Sequence, residues 1–161
     1  MKLFLKIIEM ITEVEQQTSD IDWFFTNGSE IGFVASGGGK LPDSVSSKSI
    51  EEIELLANYF KDLSQISAVS INSNLKGLVT PSNKTEYLSY FLAMAERGLF
   101  SFDKTVSNRF SDVSYHLIAK PLRPLKFDEL PLEIANLIVK TKISGNIEEQ
   151  IDIASFNQSP I

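Results

Sequence analysis

The stretch Asp22–Val45, DWFFTNGSEIGFVASGGGKLPDSV, holds the chain's single tryptophan, three phenylalanines, an Asn-Gly pair and three consecutive glycines. Trp23, Phe24, Phe25 and Thr26 are residue types that fit a pleated, half-buried surface. Asn27-Gly28 is the commonest pair in a type I′ turn, whose central residues both need φ > 0. A β-hairpin is therefore expected, with a return strand from Glu30 to Ser36. Ile31, Phe33 and Ala35 fall on one face of that strand, and Gly32, Val34 and Ser36 on the other. Apolar residues on both faces mark a covered strand. Gly32 within it points to a bulge or to close approach by another backbone.

Gly37-Gly38-Gly39-Lys40 invites comparison with a phosphate loop. A P-loop needs glycine, four residues, then Gly-Lys-Ser/Thr. Counting back from Gly39-Lys40 places Val34 where the first glycine belongs, and Leu41 stands where the hydroxyl belongs. No Gly-x-Gly-x-x-Gly occurs. Successive glycine amides can still form an anion-binding nest, but the simpler reading is a turn that leaves the strand and is closed by Pro42.

A chain of 161 residues, 43% hydrophobic and 22% charged, is long enough for one domain with a real core. A single globular domain is expected over residues 1–156, with 157–161 as a frayed tail. There is no run of 18 apolar residues, hence no spanning helix. Lys6, Glu9 and Glu13 interrupt the apolar opening, so it is not read as a secretion signal. With no cysteine, disulfides and thiolate metal sites are excluded, which fits a cytoplasmic setting. The net charge of −6 opposes nucleic-acid binding; it suits solubility and equally suits a basic protein partner through electrostatic steering.

Leu3, Phe4, Ile7, Ile8, Ile11 and Val14 recur at helical spacing and predict a first helix over Leu3–Gln17, with Gln16 on its polar side. Its mixed-charge polar face argues against a membrane role. Ser49-Ile50-Glu51-Glu52 is a capping box that opens a helix buried along Ile53, Leu56, Ala57 and Phe60. Its early glutamates suit the positive end of the helix dipole. Ala68–Asn72 and Leu75–Thr80 read as short strands. Asn83 caps a third helix whose apolar face is Tyr87, Leu88, Phe91, Leu92 and Ala95, ended by Gly98. Leu99–Asp103 and Val113–Lys120 predict an antiparallel pair. Pro121, Pro124 and Pro131 indicate an extended connector and then a helix with Pro131 in its first turn. For residues 147–156 strand and helical turn both remain open.

His116 is the only histidine, so no two-histidine metal site or Cys–His dyad can form. A Ser–His–Asp triad with Asp103 or Asp112 is formally possible, but no Gly-x-Ser-x-Gly elbow presents a nucleophile. No catalytic residue, metal ligand or cofactor is assigned.

Three segments in this order, GFVASGGGKLP, ERGLFSFDKT and YHLIAKPLRPLKFDELPLEI, resemble a group of small, soluble, functionally uncharacterised bacterial proteins. Some relatives of that group are similar to immunity proteins encoded beside bacterial toxins. The resemblance covers roughly Trp23–Ile134, and its motifs are turns, glycines and prolines. It implies a shared fold and, for function, neutralisation of a toxin domain.

Together these readings predict an α+β fold: one mostly antiparallel sheet of five or six strands, with helices packed mainly on one face. The leading functional expectation is a non-enzymatic cytoplasmic binding protein, with Glu51, Glu54, Asp103, Glu148 and Glu149 as candidate contacts to a basic partner. The competing expectation is an enzyme or small-ligand binder that uses Gly37, Gly38 and Gly39 as an anion site, with Lys40, Arg109 and His116 converging on it. A scaffolding role is the third.

Overall fold

The computed structural model describes residues 11–75, 84–106 and 109–156, with the backbone alone for 84 and 85. The predicted helical turns before Ile11, most of the strand expected over Leu75–Thr80, the Asn83 cap and the 157–161 tail lie outside these residues.

Six strands form one curled, mixed sheet: β1 (Asp22–Thr26), β2 (Ile31–Ala35), β3 (Val69–Ile71), β4 (Phe100–Lys104), β5 (Ser114–Pro121) and β6 (Gln150–Asp152). The spatial order is β1-β2-β4-β5-β3, and β6 also pairs with β5. β2 and β4 run parallel, joined by a crossover, and the other pairings are antiparallel. β6 lies beside the first residues of β5 and β3 beside the last. Where the two short strands leave a gap, the Leu117 amide donates to the Glu149 carbonyl at 2.7 Å. There the Asn72 Nδ2 donates to the Leu117 carbonyl at 2.8 Å. The expected α+β architecture is present.

Helices α1 (Glu13–Thr18), α2 (Asp43–Ser46), α3 (Ile50–Lys61), α4 (Lys84–Glu96) and α5 (Leu132–Ile138) complete the described fold. α3, α4 and α5 cover one face. There Leu56 and Phe60, Leu88, Phe91 and Met94, and Ile134 and Ile138 pack on Phe24, Ile31, Phe33 and Ile118. A second core lies on the other face, where Trp23, Phe25, Val34, Phe102, Tyr115 and Leu117 meet Val45 of α2 and Ile143, Ile151 and Phe156. The odd and even residues of β2 thus serve two different cores, as the alternation in the sequence predicts.

The segment after α5 ties the ends of the sheet together. Thr26 of β1 bridges Lys142, and the Ile143 amide donates to the Thr26 carbonyl at 3.0 Å. Eight residues later the same segment pairs with β5 as β6. It ends in a 3-10 turn, Ile153–Phe156, so the stretch left open in the sequence holds both a strand and a helical turn. Phe156 packs edge-on against Trp23, with ring centroids 5.4 Å apart.

Several local expectations are corrected. The first helix does not run unbroken to Gln17. Thr12 accepts from the Glu15 amide and Glu15 reaches back to Thr12, a capping box that starts a helix at Glu13. Val14 is therefore 70% exposed while Gln16 is buried, the reverse of the periodic reading. The hairpin exists, but its loop is Asn27–Glu30, since Thr26 pairs with Ile31. Asn27 Oδ1 accepts the amides of Ser29 and Glu30 at 3.0 and 2.8 Å, an Asx-type turn built by the side chain. Gly32 faces a ring rather than a backbone: a Cβ there would sit 2.1 Å from Phe25 Cε1. Pro121 ends β5 instead of opening the connector, and Pro131 is the N-cap of α5, just outside its first turn. Gly98 follows α4 with φ +95°, as expected.

Candidate functional site

At the C-terminal ends of the parallel strands β2 and β4, register aligns Asp22, Ala35, Asp103 and His116 across four strands. Ala35 belongs to the core under α4, so this row faces that helix. Tyr87 and Tyr90 lie one turn apart on α4 and reach the two carboxylates that flank Ala35. The Tyr87 hydroxyl donates to Asp103 Oδ2, and the Tyr90 hydroxyl donates to Asp22 Oδ2. Burial raises the pKa of both aspartates, and nearby Asp20 raises each further, against the lowering effect of the tyrosine bonds. Burial, with the adjoining carboxylate, also holds both phenols well above their usual range. These groups are fixed in internal bonds: the carboxylates hold the phenols protonated, while burial, opposed by the phenol donors, disfavours the carboxylate charges.

The triple glycine is a turn. Gly37 and Gly38 have φ +53° and +76°, and the Gly39 amide closes on the Ser36 carbonyl at 2.8 Å. The paired positive φ values that a type I′ turn needs are found here, whereas the hairpin is closed by the four-residue loop Asn27–Glu30. The Gly37 amide donates to Asp20 Oδ1 at 2.9 Å, so an incoming anion would have to displace a carboxylate. A Cβ on Gly38 would lie 2.8 Å from the Gln17 carbonyl oxygen, and one on Gly39 would lie 2.6 Å from the Tyr115 hydroxyl. Close packing and backbone conformation account for these glycines.

The residues expected to converge on this turn do not share one face. Tyr115 donates to the Lys40 carbonyl at 3.1 Å, which puts the turn on the Tyr115 side of β5. His116, the next residue, points to the opposite side. Its Nδ1 lies 3.3 Å from Thr105 Oγ1, and its Nε2 is buried without a partner among the described residues. Burial lowers the His116 pKa, which favours the neutral ring. Arg109 is exposed in the β4–β5 connection. It is close enough to Asp112 to help lower that carboxyl's pKa, after the larger effect of the Ser114 hydroxyl.

Of the acidic candidates, Glu51, Glu54, Glu148 and Glu149 are exposed, whereas Asp103 is half-buried and engaged by Tyr87. Glu51 and Glu54 ride on α3, which packs on β1 and α5. Glu148 and Glu149 precede β6 at the β5 edge. Glu149 also accepts from Asn74 Nδ2 at 3.2 Å and lines a small cleft of about 170 Å³ beside Lys120. Glu148 borders a larger cleft of about 480 Å³. Ile143 and Ile151 form the buried part of its wall, and Ser144, Asn146, Gln150, Asp152 and Ser155 line the rest.

Two features escaped the sequence reading. The Asp22–Tyr90 and Asp103–Tyr87 pairs depend on strand register, although the i, i+3 spacing of the tyrosines was visible. Lys48 is 6% exposed with its Nζ donating to the Ser44 carbonyl at 2.7 Å. Burial, with Lys140 nearby, pushes its pKa down to about 8. Among the described residues, no three His, Asp or Glu side chains are placed to hold a metal ion, and no helix is long and apolar enough to cross a membrane. No family model, curated protein or solved structure matches this chain significantly.

Proposed function

We propose that this chain is a non-enzymatic binding protein that engages a basic protein surface, with toxin neutralisation as the specific role implied by its sequence resemblance. The supporting observation is how its acidic groups divide. Asp22 and Asp103 are turned inward onto tyrosines, while Glu51, Glu54, Glu148 and Glu149 stay exposed on a chain with net charge −6. Exposed carboxylates on a strongly acidic molecule speed encounter with a cationic partner and disfavour nucleic acid. The lone histidine supports the same reading: it is buried, and its Nδ1 faces the Thr105 hydroxyl rather than a nucleophile–acid pair.

The test is co-expression and co-purification with the product of the adjacent gene. A complex is expected whose association rate falls steeply with added salt, since exposed charges are screened beyond about 10 Å at 0.1 M ionic strength. Absence of a complex, together with no protection of cells from that product, would remove the proposal.

A further inference from the structure

We infer that the cleft formed by residues 143–155 receives an arginine or lysine side chain of the basic partner; this assignment rests on the acidic-surface reading above and gives it a location. The strap that joins the two ends of the sheet folds back on itself between the Thr26 bridge and β6. Its concave side outlines an open cleft of about 480 Å³, within the range of clefts that take a specific group. The volume exceeds one side chain and admits a cationic residue with its flanking backbone.

The lining matches the two halves of such a side chain. Ile143 and Ile151, 8% and 6% exposed, offer apolar wall to an aliphatic stem, which long cationic residues lay along hydrophobic surface. Around them stand the carboxylates of Glu148 and Asp152, the amides of Asn146 and Gln150, and serine hydroxyls. All of these accept hydrogen bonds, as a guanidinium with five donors requires. Asp152 Oδ1 already accepts the Ala154 amide at 2.8 Å, a bond that holds this carboxylate in place and does not use its second oxygen. No lysine or arginine lines the cleft, so an entering cation meets no like charge there. The neighbouring small cleft contains Lys120 and lacks this property.

Amide chemical shifts of the whole chain, followed during titration with the capped peptide Gly-Arg-Gly-Arg-Gly, test the assignment. Controls are the glutamine analogue of that peptide and free spermidine. Shifts centred on Ser144, Asn146, Glu148, Gln150 and Asp152 are expected with the arginine peptide and not with its glutamine analogue. Glu148→Gln should weaken binding at least about fivefold while the remaining spectrum is unchanged, the scale of one charge-assisted hydrogen bond. Shifts mapped instead to α3 around Glu51 and Glu54 would overturn the cleft and leave the acidic-surface reading standing. Spermidine binding as tightly as the peptide would overturn a protein side chain as the occupant. Silence toward the peptide, with a complex still formed by the adjacent gene product, would overturn the cleft alone. Silence with no such complex would overturn both.

Discussion

Single residues in this protein carry constraints that their types alone do not announce. Gly38 and Gly145 have nearly the same φ, +76° and +79°, but a Cβ on Gly38 would press on the Gln17 carbonyl while one on Gly145 meets nothing within 4 Å. Gly145→Ala should therefore cost only the left-handed conformation, about 1–2 kcal/mol. Gly38→Ala should cost clearly more, because packing strain of about 1–3 kcal/mol adds to it. Paired denaturant titrations read the difference directly. Lys48 makes a pH-dependent prediction. Its folded pKa of about 8 lies below the unfolded value of 10.5, so between these values the unfolded chain binds more protons and stability rises with pH. Below pH 8 both states are charged and the burial penalty is complete. The stability gain of Lys48→Met over the parent should accordingly be largest near pH 7 and shrink toward pH 10. An unchanging difference across that range would show that the amine is not desolvated.

At the scale of elements, the face of the sheet under α4 is held by hydrogen bonds as well as by apolar packing. Tyr87 and Tyr90 fasten that helix to β4 and β1 through Asp103 and Asp22. Because the folded pKa of each aspartate is raised above its reference value of 3.8, the folded state takes up protons first on acidification. Stability referable to these groups falls as pH rises from 3.8 through the raised values, and the penalty is complete above them. The double variant Asp22→Asn, Asp103→Asn keeps the hydrogen-bond acceptors and removes the charge. Its stability relative to the parent should be highest near neutrality and fall as the pH is lowered toward 4, measured by denaturation at several pH values. The elements themselves were legible where the signal is local. Ser49 and Glu52 cap α3 reciprocally, and Gly98 terminates α4, because capping uses residues three or four positions apart. The same physics breaks the expected run at Thr12, whose box with Glu15 starts a helix at Glu13. The hairpin turn shifted because Asn27 satisfies amides with its side chain, an option that a rule about backbone dihedrals does not weigh.

For the whole molecule, two cores on opposite faces of one curled sheet explain why the hairpin strands are apolar on both sides. Among the described residues, the C-terminal strap packs against the second core. Phe156 is 6% exposed and packs on both Trp23 and Phe25. Phe156→Ala should cost about 3–5 kcal/mol as a buried aromatic truncation, seen as a drop in Tm, with increased Trp23 fluorescence accessibility to a soluble quencher. A loss under 1 kcal/mol would mean that the strap does not close this core. The sequence by itself determined the class of fold, the two-faced character of the central strands, the capped helices and the acidic surplus, because each of these follows from periodicity, composition or contacts within one turn of chain. Only the tertiary structure decided that Asp22 and Asp103 align across Ala35, that His116 turns away from the glycine turn, and that residues 143–155 bend into a cleft. Those facts follow from strand register and from the pairing of residues far apart in the chain, which its local pattern does not encode.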